Sequence, residues 1–196
     1  LANGNNQHFK NVLNLAKESY LHDVEKQAKE IVFDKEWEIP KSLNFSDKFV
    51  QKTSNISIMQ PFYEKIDSSV IEKNFAKYLD GKPNEIRWWF KNGERDGTFF
   101  AVPRKDSEDY VPFYVDWIVK YKDGRLGLFD TKGGLTAETA GSRAEGLANY
   151  IKGQNEKGKK LFGGIVIEKD QSFWINSNEK YTYDENDLLS SGWKIF

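Results

Sequence analysis

Cysteine is missing altogether, and histidine occurs only as His8 and His22. The first absence removes disulfides, thiolate zinc sites and cysteine nucleophiles together. The second leaves two imidazoles fourteen positions apart in one N-terminal helical stretch, not one turn apart on a shared face. That argues against a histidine metal site and against Ser-His catalysis. No apolar run approaches the ~20 residues of a membrane span, and the first residues lack the charged-then-apolar pattern of a signal peptide. The expectation is a cytoplasmic protein with no membrane partner. An excess of one charge is lacking too. Twenty-nine Lys and Arg against thirty Asp and Glu leave a net −1, which argues against a basic coat for nucleic acid.

Aromatic residues are plentiful at 15%, and charged residues make up 30% of a chain of 196. That is a globular composition, long enough for one domain with a full core and a small helical extension. The chain opens on Leu1 instead of Met, which reads as a piece of something longer. Residues 5–33 place Phe9, Val12, Leu13, Ala16, Tyr20, Val24, Ala28, Ile31 and Val32 at helical spacing, an amphipathic helix or helix pair. Residues 34–66 are mixed and interrupted by Pro40 and Pro61; Glu36 to Glu38 and Ser57 to Met59 are the best extended pieces. Ser69-Val70-Ile71-Glu72 is a capping-box pattern, Ile71, Phe75 and Leu79 form a stripe, and Asp80-Gly81-Lys82-Pro83 stops that helix. Strands are expected at Ile86 to Lys91 and Thr98 to Val102, joined by the polar turn Asn92 to Gly97. A hairpin over Phe113 to Lys132 follows, then a helix from Thr136 to Lys152 closed by Gly153. Leu161 to Ile167 reads as a buried strand, and Phe173 to Asn176 as a strand paired with a neighbour. Helix, antiparallel strands, helix, strand is an α+β order with a mixed sheet. The expected division is 1–60, helical extension and connecting segment, and 61–196, main domain.

The hairpin carries the most information. Its first strand reads Phe113-Tyr114-Val115-Asp116-Trp117-Ile118-Val119-Lys120-Tyr121 and its second Leu126-Gly127-Leu128-Phe129-Asp130-Thr131-Lys132, around an Asp123-Gly124 turn. Acidic residues are poor strand formers, and two inside apolar strands call for a reason. Side chains alternate faces, so Leu128, Asp130 and Lys132 share one side. A two-residue turn would pair Asp116 with Thr131 and put the two carboxylates on opposite faces. A three-residue loop with Gly124 left-handed pairs Tyr121 with Arg125 and sets Asp116 across from Asp130. We expect the second register, because it alone gathers all three charged groups. Facing carboxylates repel unless a cation or proton lies between them. The plainer alternative is that one Asp points to solvent and both are ordinary edge charges.

Asp116 on one strand, Asp130-Thr131-Lys132-Gly133 on the next and Glu72 on a preceding helix resemble the PD-(D/E)xK nucleases. More narrowly, they resemble the C-terminal endonuclease domain of the restriction (Res) subunit of type III restriction enzymes. Ser69-x-x-Glu72-x-x-Phe75-Ala76 is similar to that family's glutamate helix, and Trp88-Trp89-Phe90-Lys91-Asn92-Gly93 to its Trp-x-Lys-Asn strand end. Phe113 to Val119 stands where the family has Tyr-Pro-Asp-Phe-Ile-Val, with Val115 replacing the proline and Trp117 the phenylalanine. The resemblance spans roughly residues 58–176. It implies a restriction-endonuclease-like α-β-β-β-α-β core and a magnesium-dependent cleavage of double-stranded DNA, with Mn²⁺ as a substitute ion. It also implies a helicase/ATPase region in the same parent chain and a methyltransferase (modification) subunit as partners. A nuclease drawing affinity from neighbouring domains would tolerate the near-zero net charge.

On that resemblance Asp116, Asp130 and the main-chain carbonyl of Thr131 hold the ion, a hard-oxygen set suited to Mg²⁺. Lys132 would orient the attacking water or neutralise charge on the phosphoryl oxygens. Glu72 would hold a second ion or a metal-bound water; the alternative is a capping glutamate whose role ends at Ser69. Arg143 is a candidate phosphate contact or a solvated arginine. Trp88 and Trp89 read as core, with base stacking as the alternative for one of them. Lys157, Lys159 and Lys160 form a basic turn that steers DNA or is simply solvated. Gly153 to Lys160 nearly matches a phosphate-binding loop but lacks the Ser/Thr after its lysine and leads into a strand, so it is rejected. The alternative function is a non-catalytic nucleic-acid-binding or assembly module keeping the same fold.

Overall fold

The computed structural model describes residues 37–94, 97–107 and 109–196. The expected helical stretch 5–33, with His8 and His22, lies outside them. Ser69 opens the first described helix, α1 (Val70–Asp80), as the capping pattern requires: its hydroxyl accepts from the Glu72 N–H while Glu72 reaches back to the Ser69 N–H. Phe75 and Leu79, fully buried, seat α1 against the central sheet; side chains of that size each stabilise by about 1.5–3 kcal/mol on burial.

Ahead of α1, in the segment 34–66 read as loops with short strands, lie β1 (Phe49–Lys52) and β2 (Phe62–Lys65), paired antiparallel and away from the pieces expected to be extended. This ribbon crosses residue 60, and Trp37, Ile39, Leu43 and Met59 pack on the core of the main domain. Ser57 bridges to Trp89, as an isolated pair and not a strand.

Eight more strands follow: β3 (Ile86–Lys91), β4 (Ala101–Asp106), β5 (Asp109–Tyr114), β6 (Trp117–Tyr121), β7 (Leu126–Thr131), β8 (Leu161–Lys169), β9 (Ser172–Asn176) and β10 (Lys194–Ile195). Between β7 and β8 come α2 (Leu135–Glu138) and α3 (Gly141–Glu156). Six strands form one sheet in the order β10-β9-β8-β7-β6-β3, with β7 and β8 parallel and the other neighbours antiparallel. The fold is α+β with a mixed sheet. One face, with Trp89, Trp117, Phe129 and Val166, packs under α1. The other face, with Phe90, Ile118 and Leu128, packs under Leu147 of α3. Alternate residues of each strand go to opposite faces, as the pleat dictates.

Three expectations are corrected. The strand from Phe113 does not run through to Tyr121. It stops at Tyr114, and β5 pairs with β4 in a separate two-stranded sheet. The strand near 98–102 starts at Ala101 and does not pair with β3, whose partner is β6. The cause is Asn92: its side-chain amide donates to the carbonyls of Phe100 and Val115 at 2.7 and 2.9 Å, and its main-chain N–H donates to Asp116 at 2.9 Å. Those bonds replace the ladder a continuous strand would form. The expected helix 136–152 is divided at Thr139–Ala140, and its second part runs past Gly153 to Glu156.

Candidate functional site

The β6–β7 register follows the three-residue loop. Trp117 pairs with Phe129 and Lys120 with Leu126, which puts Asp116 in line with Asp130. The Tyr121 N–H donates to Arg125, and Gly124 takes a φ of +92°, the left-handed conformation that favours glycine there. Lys91 ends β3 beside Trp117, and Thr131 ends β7 beside Val166 of β8. Glu72, Lys91, Asp116, Asp130, Thr131 and Lys132 therefore gather at one end of the sheet, where the first turn of α1 overhangs it.

Asp116 sits one residue ahead of β6, in a bend. That position frees its carboxylate to lean toward Thr131, whose N–H and hydroxyl donate to Oδ2 at 2.8 and 2.7 Å. Its other oxygen, Oδ1, accepts from Lys91 Nζ at 3.0 Å, and the same ammonium reaches Glu72 Oε1 at 2.7 Å. Glu72 Oε2 accepts from the N–H and hydroxyl of Ser69 at 3.0 and 2.8 Å. One oxygen of Glu72 thus serves the helix cap and the other pairs with Lys91. Burial would raise the Asp116 carboxyl, but the charges of Lys91 and Lys132 and the Thr131 hydrogen bond bring it down to about 2. Burial likewise opposes ionisation of Glu72 and is outweighed by Lys91, so its pKa is lowered. Lys91 mirrors this: burial disfavours its charge, and Asp116 and Glu72 more than restore it.

Asp130 behaves differently. It belongs to the α3 face with Leu128 and is 1% exposed. Burial, then the Asp116 charge, push its carboxyl up to about 7 against the pull of Lys132 and Arg143. Lys132 Nζ pairs with Asp130 Oδ2 at 2.6 Å, and among the described residues this buried oxygen has no further partner. The same ammonium donates to the Thr131 carbonyl at 3.4 Å. Two in-line carboxylates thus differ in protonation near neutral pH, one firmly ionised and one poised to exchange a proton, the pattern that divides acid and base roles.

Glu72, Asp116, Thr131, Lys132, Arg143 and Glu168 line an open cleft of about 610 Å³. Arg143 stands at that cleft with its guanidinium 5.9 Å from the Phe113 ring centre, and Asn74 holds Glu168 at 2.8 and 3.1 Å. A second cavity, about 510 Å³, adjoins on the other side of Glu72 and Asp116 and includes Lys91, Tyr63, Phe99 and Tyr114. Trp89 is 1% exposed, in the core, and Trp88 is partly buried against the other core face. Lys157, Lys159 and Lys160 are exposed beyond α3.

Sequence reasoning missed Lys91 as a site residue, though a lysine closing the aromatic strand Trp88-Trp89-Phe90 was the available signal. Its ammonium also lies 4.7 Å from the Trp117 ring centre. Among the described residues, no trio of Asp, Glu, His or Cys is gathered closely enough to hold a metal ion. Two lysine ammoniums lie against the oxygen donors instead. By type, carboxylates and a main-chain carbonyl are the oxygen donors a hard divalent cation takes; Glu72 and Asp116 come together through their shared ammonium, while Asp130 is paired with Lys132. No helix among the described residues is long and apolar enough to cross a membrane. Compared with family models, curated proteins and solved structures, the chain matches none.

Proposed function

We propose that this chain is a Mg²⁺-dependent endonuclease domain that hydrolyses DNA phosphodiesters, of the kind carried by the Res subunit of type III restriction enzymes. The observation that carries the reading is that Glu72, Asp116 and Lys132 line one open cleft at the sheet end, with the buried Asp130 behind it paired to Lys132. The element order also supports it: α1, β3, β6, β7, α3 and β8 run helix, three strands, helix, strand, with the β4–β5 hairpin inserted, as in a restriction-endonuclease-like core.

Asp116, Asp130 and the Thr131 carbonyl would hold Mg²⁺ or Mn²⁺, with Glu72 Oε1 available to it or to one of its waters. Bound there, the ion polarises the scissile phosphate and acidifies a water. The residues of the chain do the rest. Thr131 fixes one oxygen of Asp116 and leaves the other to Lys91. Lys132 compensates charge growing on the phosphoryl oxygens and orients the attacking water, and Arg143 at the cleft wall steers the phosphate in. With a net charge of −1, contact with DNA is weak and salt-sensitive without help. A helicase/ATPase region of a parent chain and a modification subunit would supply that help in the cytoplasm.

Supercoiled plasmid incubated with the protein and Mg²⁺ or Mn²⁺ tests this. The parent sequence is expected to nick and linearise, and Asp130→Ala and Lys132→Ala are expected to lose cleavage. Equal cleavage by both variants refutes the residue assignment. Retarded migration of DNA without cleavage, and no heat of metal binding, would favour a non-catalytic binding or assembly module.

A further inference from the structure

Glu72 and Asp116 arrive at the cleft each with one oxygen already committed. Ser69 holds Glu72 Oε2 at the helix cap, and Thr131 holds Asp116 Oδ2 at the strand end. These partners are main-chain groups and short hydroxyl side chains, so they hold their places. The remaining oxygens, Oε1 and Oδ1, converge on Lys91 Nζ, at 2.7 and 3.0 Å. Among the described residues, one flexible side chain is therefore the hydrogen-bonding partner of both open oxygens. Its charge occupies the space between two carboxylates, which is where an added cation would be most strongly attracted.

Lys91 also has somewhere to go. It lines the second cavity, about 510 Å³, on whose wall stand Glu64 and Glu94. Lys65 and Lys73 share that wall, and Glu64 is paired with Lys52, so the cavity offers space and mixed charge; rotation about the flexible four-carbon stem would carry the ammonium into it without moving β3.

We propose that Lys91 is a built-in counter-cation, holding Glu72 and Asp116 together in the ion-free protein and competing with the divalent ion for their open oxygens. The inference rests on the metal-dependent reading of the site and adds its regulation. Ion binding requires Lys91 to swing away, so the lysine sets the ion concentration at which the site loads. The competing possibility is a static strut that positions the two carboxylates for the ion. The two differ in sign: loss of a competitor tightens ion binding, and loss of a strut weakens it.

Calorimetric titration of the full chain with Mn²⁺, in the wild type, Lys91→Met and Lys91→Arg, reads that sign. Methionine keeps the length and apolar stem but not the charge; arginine keeps the charge. The expected result is Mn²⁺ binding about tenfold tighter or more in Lys91→Met, and no tighter than wild type in Lys91→Arg. Equal or weaker binding by Lys91→Met, with near-ultraviolet circular dichroism unchanged, overturns the proposal while leaving the metal site standing. Absence of binding in wild type and both variants overturns the proposal and the metal-dependent reading together. Crystals of the wild type soaked in Mn²⁺ give a second readout that needs no variant to fold. Lys91 Nζ is expected to have left both carboxylates, beyond the ~4 Å of an ion pair. Lys91 still bridging them beside a bound ion overturns the proposal.

Discussion

Thr131 donates twice to one oxygen of Asp116, through its N–H at 2.8 Å and its hydroxyl at 2.7 Å. The hydroxyl in turn accepts from Trp117 Nε1 at 3.3 Å, so one buried oxygen ties the site to the α1 face of the core. Thr131→Val keeps the shape and the main-chain bond and removes the hydroxyl. The indole N–H then loses its acceptor inside the core, and Asp116 loses one of two donors. A buried polar group left unsatisfied costs about 1–3 kcal/mol, or several degrees of Tm in a protein of this size. Thermal unfolding followed by circular dichroism checks this. A Tm unchanged from wild type would mean the hydroxyl supports nothing.

Asp80 is a clasp of another kind, far from the chemistry. Its Oδ1 accepts from the Ser54 hydroxyl at 2.6 Å, the Ile56 N–H at 3.1 Å and Trp89 Nε1 at 3.3 Å, pinning the 54–56 segment to the end of α1. Partial burial raises its pKa, but these hydrogen bonds prevail and lower it below its ordinary 3.8. The folded state therefore holds this proton less tightly than the unfolded chain. The contribution of Asp80 is fully present above pH 3.8 and is lost as pH falls through the lowered folded value. Because the carboxylate is only partly buried, Asp80→Asn should cost on the order of 1 kcal/mol at pH 7. Urea unfolding of both proteins at pH 7 and at successive values below 4 measures it. Their stabilities should converge as the pH drops; a gap that stays constant would assign the effect to shape alone.

The pattern of short-range signals explains what was readable beforehand. Ser69 and Glu72 announce a cap three residues apart, and Asp123-Gly124 between β-rich runs announces a turn, so α1 and the β6–β7 hairpin follow from neighbours in sequence, whereas the choice of register for that hairpin rests on its charged residues. The break at Val115–Asp116 does not. It is imposed by Asn92, 23 residues upstream of Val115, through a bond to its carbonyl, and a run of alternating aromatics looks the same whether or not it changes sheets. Lys91 is visible as the lysine closing an aromatic strand, but its partners are hidden for the same reason. Nothing near it in sequence says that Glu72 and Asp116 both reach it, because that meeting depends on how α1 lies over the end of β3. The strands β1, β2 and β10 are too short for a periodic pattern to rise above their surroundings.

Gly163 is a packing requirement hidden in an apolar strand. With a φ of +156°, it brings β8 so close to β7 that a β-carbon there would stand 1.8 Å from the Leu128 carbonyl oxygen. The obstacle is main chain in a central strand and cannot rotate aside. Gly163→Ala should therefore displace β8 against β7 and cost about 1–3 kcal/mol, the range for overpacked cores. Denaturant unfolding would register the loss as a lower midpoint at an unchanged m-value. Wild-type stability in Gly163→Ala would show that the two strands separate more easily than this contact allows.

Glu72 offers a way to separate a helix cap from a catalytic group, because its two oxygens face different partners. Ser69→Ala removes the hydroxyl that accepts from the Glu72 N–H at 3.3 Å and donates to Oε2 at 2.8 Å. Loss of such a cap costs about 1 kcal/mol, yet the charge of Glu72 beside Lys91 and Asp116 remains. Glu72→Gln makes the complementary change: its amide oxygen can still accept from the Ser69 N–H, but the negative charge at 2.7 Å from Lys91 is gone. If Glu72 serves the cleft, Glu72→Gln should hold most of the wild-type Tm and lose plasmid cleavage by about tenfold or more. Ser69→Ala should do the reverse, lowering Tm and leaving the cleavage rate at a permissive temperature near wild type. A Glu72→Gln protein that cuts at full rate would confine the residue to its cap, and the cutting centre would then consist of Asp116, Asp130 and Lys132 alone.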